Sequence, residues 1–224
     1  LLGTILMFWF FVSAARGYKK NRGHAPKGMQ SLLEPLILFV RDEVAKPSIG
    51  AHYGRFMPFL LTVFFFIWIG NMLGLIPFLG GINFSGNIAV TLVLAIFTFV
   101  ITSASANKGY WMHIVAPPGV PLWLLPIMIP IEILGVFSKP FVLMLRLFAN
   151  ITAGHIILLA FTSLIFVFSD GGNAVGTGLG VSIGTTLFSV FMTFLELLVA
   201  FLQAYVFTLL SALYFGMATE EAHH

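Results

Sequence analysis

Two stretches near the C-terminus, Pro140 to Phe168 and Val181 to Phe215, are apolar and longer than a bilayer is thick. At a rise of about 1.5 Å, their roughly 29 and 35 residues reach about 44 and 52 Å, against about 30 Å of hydrocarbon. Helices of that length fit a membrane by tilting, so a strongly tilted pair is expected. The rest of the chain agrees that the bilayer is its solvent. Only 8% of the residues are charged and 59% are hydrophobic, where soluble domains carry roughly a quarter charged. So few charges cannot cover the surface of a water-soluble globule.

Other segments fill in an all-α membrane architecture of five transmembrane helices plus interfacial amphipathic helices, ending in a long tilted helical hairpin. Residues 1–15 read as a first span, and because the chain begins with Leu rather than Met that span is expected to be cut short. Eight of the eleven Lys and Arg fall between Arg16 and Arg55. That clustering marks 16–55 as a cytoplasmic loop and argues against nucleic acid as the reason for a pI near 9.3. Within it, Gln30 to Val44 places Leu32, Leu33, Leu36, Ile37 and Val40 on one side, with Glu34, Arg41 and Asp42 elsewhere. An interfacial amphipathic helix has that pattern.

Phe56 to Phe78, containing Asn71 and ending at Pro77, and Ile88 to Ser105 read as the second and third spans within 56–106, joined by a polar turn at Gly80 to Ser85. Asn107-Lys108-Gly109 marks a second cytoplasmic connection, which opens the cytoplasmic or interfacial segment 107–139. There Leu122 to Val136 is expected to be half-inserted, because Pro126 and Pro130 each remove a helical hydrogen bond. The fourth and fifth spans lie within 140–216, joined by the Gly-rich connection Asp170 to Gly180, and 217–224 is a cytoplasmic tail. His223 and His224 belong to that tail rather than to a metal motif. The chain has no cysteine, which rules out a disulfide framework and thiolate metal ligands.

Charge inside a span is costly and is a functional hypothesis by default. Arg146 and His155 on the fourth span and Glu196 on the fifth qualify, accompanied by Asn150 and Gln203. Two readings stand side by side: hydrogen bonds and salt bridges between helices, or a path for protons. Arg146 weighs toward the second, since a guanidinium keeps its charge at any ordinary pH. In a hairpin centred near residue 175, residues at one depth have numbers adding to about twice that centre. Arg146 with Gln203 and His155 with Glu196 both do, on levels about 10 to 14 Å apart. Glu196 and Gln203, seven apart, share a face, and Tyr214 extends it. His155 is nine residues beyond Arg146 and so lies about 180° round the helix. The two cannot then face one narrow groove; that one addresses a partner and the other a water-filled cavity is an arrangement the sequence leaves open. An imidazole and a buried carboxyl at one depth suit proton transfer near neutrality. A fixed cation nearby strips a proton from any carboxylic acid brought beside it and opposes straight-through leakage. No second buried carboxylate faces Arg146, so one is expected from another subunit.

The run Leu143-Met144-Leu145-Arg146-Leu147-Phe148-Ala149-Asn150-Ile151-Thr152-Ala153-Gly154-His155 resembles the signature of subunit a of the rotary ATP synthase. Asn71-Met72-Leu73-Gly74-Leu75-Ile76-Pro77, Pro130-Ile131-Glu132 leading to Ser138-Lys139-Pro140, Leu202 to Phe207 and Tyr214 to Glu221 resemble further family motifs, from roughly Arg41 to the C-terminus. The resemblance implies a non-catalytic, proton-translocating stator subunit of the F-type membrane sector. It is expected to sit multi-pass in a bacterial inner membrane with its C-terminus cytoplasmic, beside the ring of c subunits and the peripheral-stalk b subunits. It further implies that Arg146 separates two aqueous half-channels and faces the ring carboxylate, with Gln203 as its neighbour. His155 and Glu196 resemble the polar pair of the outer half-channel, in the reverse order to many bacterial members. Asn150 lines the path, and Glu132, Lys139 and Tyr214 are further lining candidates. Asn83-Phe84-Ser85-Gly86-Asn87 departs from the family's Pro-Thr-x-Asp-x-Asn stretch, matching only at Asn87. No cofactor is implied, and no Gly-x-x-x-x-Gly-Lys-[Ser/Thr] loop is present. A self-contained channel or transporter would need its own midplane site, often between repeated halves. An intramembrane hydrolase would need paired Asp, a Ser with a base, or zinc ligands. The sequence supplies neither set.

Overall fold

The computed structural model describes residues 29–75, 87–115, 124–169 and 175–219, together with Ile5, Phe8, Trp9, Phe11 and Val12. Among these residues the structure is helical, with no strand. Most of the expected first span, the turn Gly80 to Ser85, the departure from the family pattern at Asn83 to Gly86, and the tail with His223 and His224 lie outside the described residues. Among the described residues, four helices are long and apolar enough to cross a membrane.

The amphipathic segment forms α1 (Met29–Phe39), a π-helical turn (Val40–Ala45) and α2 (Lys46–Ile49). Pro47 has no N–H to donate, and Lys46 N–H reaches five residues back to the Arg41 carbonyl. The wider turn brings Val40, Val44 and Ala45 together on the buried side. Arg41 and Lys46 meanwhile pair with Asp42 on the exposed side, at 2.9 and 2.6 Å. Gly50, at φ +72°, then turns the chain into α3 (Tyr53–Gly74), in a conformation that side chains with a Cβ rarely adopt. The apolar stretch from Leu33 to Gly74 is thus two elements with a glycine corner between them.

α4 (Ile88–Ser105) has the bounds expected from the sequence. Asn87 is its N-cap, accepting the Ala89 N–H at 3.0 Å. Lys108 and Gly109, expected in a connection, open the short helix α5 (Lys108–Val115), which leaves only Ala106 and Asn107 between the two helices. The larger differences concern the two longest helices, α6 (Leu125–Phe168) and α7 (Val175–Thr219). The expected half-inserted segment and fourth span are one helix, running through Pro130 and Pro140. Pro126 sits at its start, where a missing N–H costs nothing. Each later proline removes one ladder bond, a loss that neighbouring helices offset in membrane proteins, and α4 and α7 both pack on α6. Val175 to Gly180, expected in the connection, forms the first turns of α7. Gly178 serves close approach there: a Cβ on it would stand 2.8 Å from that of Ser169.

The core joins α3 to α7. Leu60, Val63, Phe64, Phe65 and Ile67 meet Ala204, Phe207, Ala212 and Phe215, all buried. Phe56 stacks on Phe215 at 4.7 Å, and Phe39 of α1 reaches Phe201 and Tyr205 of α7. Such aromatic pairs contribute about 0.5–1.5 kcal/mol each beyond area burial. Phe11 stands edge-on to Phe65. α4 presents the buried stripe Thr91, Ala95, Thr98 and Thr102. Its three hydroxyls donate to carbonyls of their own helix, so burial leaves them satisfied. Small residues let helix backbones approach closely in lipid, where hydrophobic burial no longer drives association.

α7 is anchored to the α2 corner at Gly216, where any Cβ would overlap the Ser48 carbonyl oxygen. A backbone atom cannot swing aside as a side chain end can. Gly216→Ala is therefore expected to lower stability by about 1–3 kcal/mol, as overpacked cores do. Thermal unfolding in detergent, set against the open-space control Gly184→Ala, checks this.

Candidate functional site

The site residues lie where α6 and α7 pack together. Contacts pair rising numbers on α6 with falling numbers on α7. Gly154 lies against Glu196, the Phe161 and Phe188 rings stack at 3.9 Å, and Thr177 Oγ1 donates to the Phe168 carbonyl at 2.9 Å. Continued along both helices, that register sets the backbones of Arg146 and Gln203 on one level.

Glu196 is half-buried and crosses toward α6 at Gly154. A Cβ at position 154 would stand 2.6 Å from Glu196 Oε1, so the glycine makes the space the carboxyl occupies. His155 is the next residue, and the backbone there is helical, which puts position 155 beside the Glu196 carboxyl in level. The side chains of His155 and Asn150 lie outside the described part of the structure.

Arg146 is exposed on α6 beside the exposed apolar side chains Val142 and Leu145, while Leu143 and Met144 are buried. Gln203 is only 4% exposed and belongs to the buried stripe of α7 with Ala200, Ala204 and Phe207. Asn71 of α3, also buried, donates to the Ala200 carbonyl at 3.5 Å, which ties the family-like Asn71 run to this part of α7.

Further along, toward the C-terminal end of α7, Lys139 is held between two aromatic rings. Its ammonium is 5.3 Å from the centre of Tyr214 and 5.5 Å from that of Tyr110. Glu132 is near enough for its charge to act on both Lys139 and Tyr110. Burial first, and Glu132 second, raise the Tyr110 phenol above its ordinary value. The three lining candidates Glu132, Lys139 and Tyr214 are thus brought together, with Tyr110 as a fourth member that sequence reasoning missed. Its signal was faint: an aromatic residue just after a polar connection. Gly154 was also missed as the partner of Glu196, though it stood inside the arginine motif. Among the described residues, no group of three His, Asp or Glu gathers to hold a metal.

The family model described as ATP synthase A chain matches residues 1–216. The chain belongs to that family. It is 49% identical to ATP synthase subunit a 2 of Chlorobaculum tepidum over 97% of its own length and 60% of the relative's. It is 46% identical to ATP synthase subunit a of Chloroherpeton thalassium, over all of this chain and 65% of that one. ATP synthase subunit a of Myxococcus xanthus is 45% identical, over all of this chain and 71% of its own. The chain thus spans somewhat under two thirds of the length of the first two curated relatives. In this member of the A-chain family, the arginine-to-histidine run lies on one unbroken helix, and its glycine is the place where the α7 carboxyl lands.

That contact can be tested without any transport assay. Gly154→Ala must displace the Glu196 carboxyl, so its cost should largely vanish in a Glu196→Ala background. A double-mutant cycle on thermal stability is expected to give a coupling of about 0.5–3 kcal/mol, the range for residues in direct contact. Additive effects would mean that the two do not touch.

Proposed function

We propose that this chain is the proton-translocating stator subunit of a rotary ATP synthase membrane sector. In this reading it crosses a bacterial inner membrane five times, with the C-terminus cytoplasmic and α6 and α7 forming a tilted hairpin against a ring of c subunits. The observation that carries the reading is Arg146, a permanent cation left exposed on a long α6 beside the exposed apolar residues Val142, Leu145 and Ala149. An arginine facing lipid there would cost several kcal/mol. A partner bearing a carboxylate offsets that cost and explains the exposure.

Two aqueous half-channels then meet the ring on either side of Arg146. On the outer side, His155 and Glu196 pass protons inward to a ring carboxylate, with Asn150 lining the path. Once neutral, that carboxyl can move through lipid without the charge penalty. On reaching Arg146 it is ionised by the guanidinium's field and releases its proton toward the cytoplasm through the second half-channel. Gln203, buried on the same level, fixes the α7 side of the barrier, while Glu132, Lys139 and Tyr214 mark its cytoplasmic side. Arg146 acts by electrostatics alone, with no covalent step. The ring turns against this subunit, the b subunits of the peripheral stalk hold it still, and nucleotide chemistry takes place elsewhere in the complex. Each proton falling through 100 mV supplies about 2.3 kcal/mol, so several are needed for one ATP.

The test is ATP-driven proton pumping by the whole complex in vesicles, wild type against Arg146→Ala. Pumping is expected to be lost while passive leak through the membrane sector is retained or raised. Normal pumping by a correctly assembled Arg146→Ala complex would return the arginine to a structural role.

A further inference from the structure

The short connection between α4 and α5 touches both long helices at one end of the bundle, through two sets of contacts. At the end of α7, Asn107 N–H donates to the Ala218 carbonyl at 2.8 Å and Asn107 Nδ2 to the Thr219 carbonyl at 3.1 Å. The last carbonyls of a helix lack partners within it, and here another segment of the chain supplies them. Three residues on, the Tyr110 ring covers the Lys139 ammonium of α6, whose other side faces the Tyr214 ring of α7. Lys139 is thus shared by α5, α6 and α7. The cavity beside it, bordered by Thr98, Thr102, Tyr110, Lys139 and Tyr214, has a volume of about 10 Å³. That is barely room for one water, and the lysine is packed into a joint between the three helices.

We propose that segment 107–110 is a clamp that fixes α6 against α7 and thereby positions Arg146, with Tyr110 and Asn107 as positioning residues. The clamp rests on the reading of Arg146 as the barrier between half-channels. Lys139 precedes Arg146 by seven residues, so the two lie on nearly the same face about two turns, or roughly 10 Å, apart. Pinning the lysine sets how far α6 is rotated at the arginine. Pro140 makes such a pin necessary, because it removes a ladder bond next to Lys139 and leaves a place where the helix can bend. A cation held over two aromatic faces, with the Glu132 charge nearby, supplies the hold on α6.

The test uses the whole complex in vesicles, comparing Tyr110→Phe, which keeps the ring, with Tyr110→Leu, which loses it. Complex yield, ATP hydrolysis and proton pumping are read together, with Arg146→Ala as the control. Tyr110→Phe is expected to match wild type. Tyr110→Leu is expected to assemble and hydrolyse ATP while its ratio of protons pumped to ATP hydrolysed falls several-fold. Should Tyr110→Leu fail to assemble, Asn107→Asp takes its place, since it sets a carboxylate against the Thr219 carbonyl. The same fall in ratio is expected there. Unchanged coupling in the assembled variant, with pumping lost in Arg146→Ala, would overturn the clamp and leave the barrier reading standing. Pumping retained in Arg146→Ala would overturn the barrier reading and the clamp's purpose with it.

Discussion

The described fold depends on the buried stripe of α7. Ala200, Gln203, Ala204, Phe207, Thr208, Ser211, Ala212 and Phe215 lie along one side of that helix. Against it come α3 through its phenylalanines, α1 through Phe39, and the α2 corner at Gly216. Small residues alternate with rings, so close backbone approach and aromatic packing coexist on one surface. The polar members do not spoil it: Thr208 and Ser211 donate to their own helix, at 2.7 and 2.8 Å. Packing of this kind suits a solvent of lipid tails, where contact and hydrogen bonding must hold helices together.

That stripe also explains the division of labour around the site. With α7 seated inward, Gln203 is buried and Glu196 reaches over Gly154 toward the level of His155. α6 buries Leu143 and Met144 inward, exposes Leu134, Phe137 and Phe141 along one apolar side, and carries the exposed Arg146 beside Val142 and Leu145. An apolar face of this extent belongs against lipid or another subunit. In the proposed reading, the 180° separation of positions 146 and 155 turns one group toward the rotor and the other toward water.

Much of this was legible in the chain itself. α4 came out with its bounds because its apolar run is closed by a capping Asn87 and a polar break after Ser105. The one-level pairing of α6 with α7 followed from counting about a loop centre, and the Phe161–Phe188 and Gly154–Glu196 contacts obey it. What could not be read was the continuity of α6 through Pro130 and Pro140. Local propensity says break, and only packing by α4 and α7 overrides it. Gly176, Gly178 and Gly180 misled in the same way, reading as a turn although they begin a helix. Tyr110 and Asn107 were invisible because their partners lie far along the chain, and no local pattern announces a contact between distant segments.

The central claim is that the Arg146 face of α6 meets a rotor carboxylate, and cysteine cross-linking within the assembled complex tests it most directly. The chain has no cysteine of its own, so a single one can be introduced at Ala149, exposed on the arginine's side, or at Met144, buried inward. Each is paired with a cysteine beside the ring carboxylate. The expected result is an oxidative cross-link from Ala149→Cys and none from Met144→Cys. A cross-link from Met144→Cys alone would put the rotor on the opposite face and contradict the account.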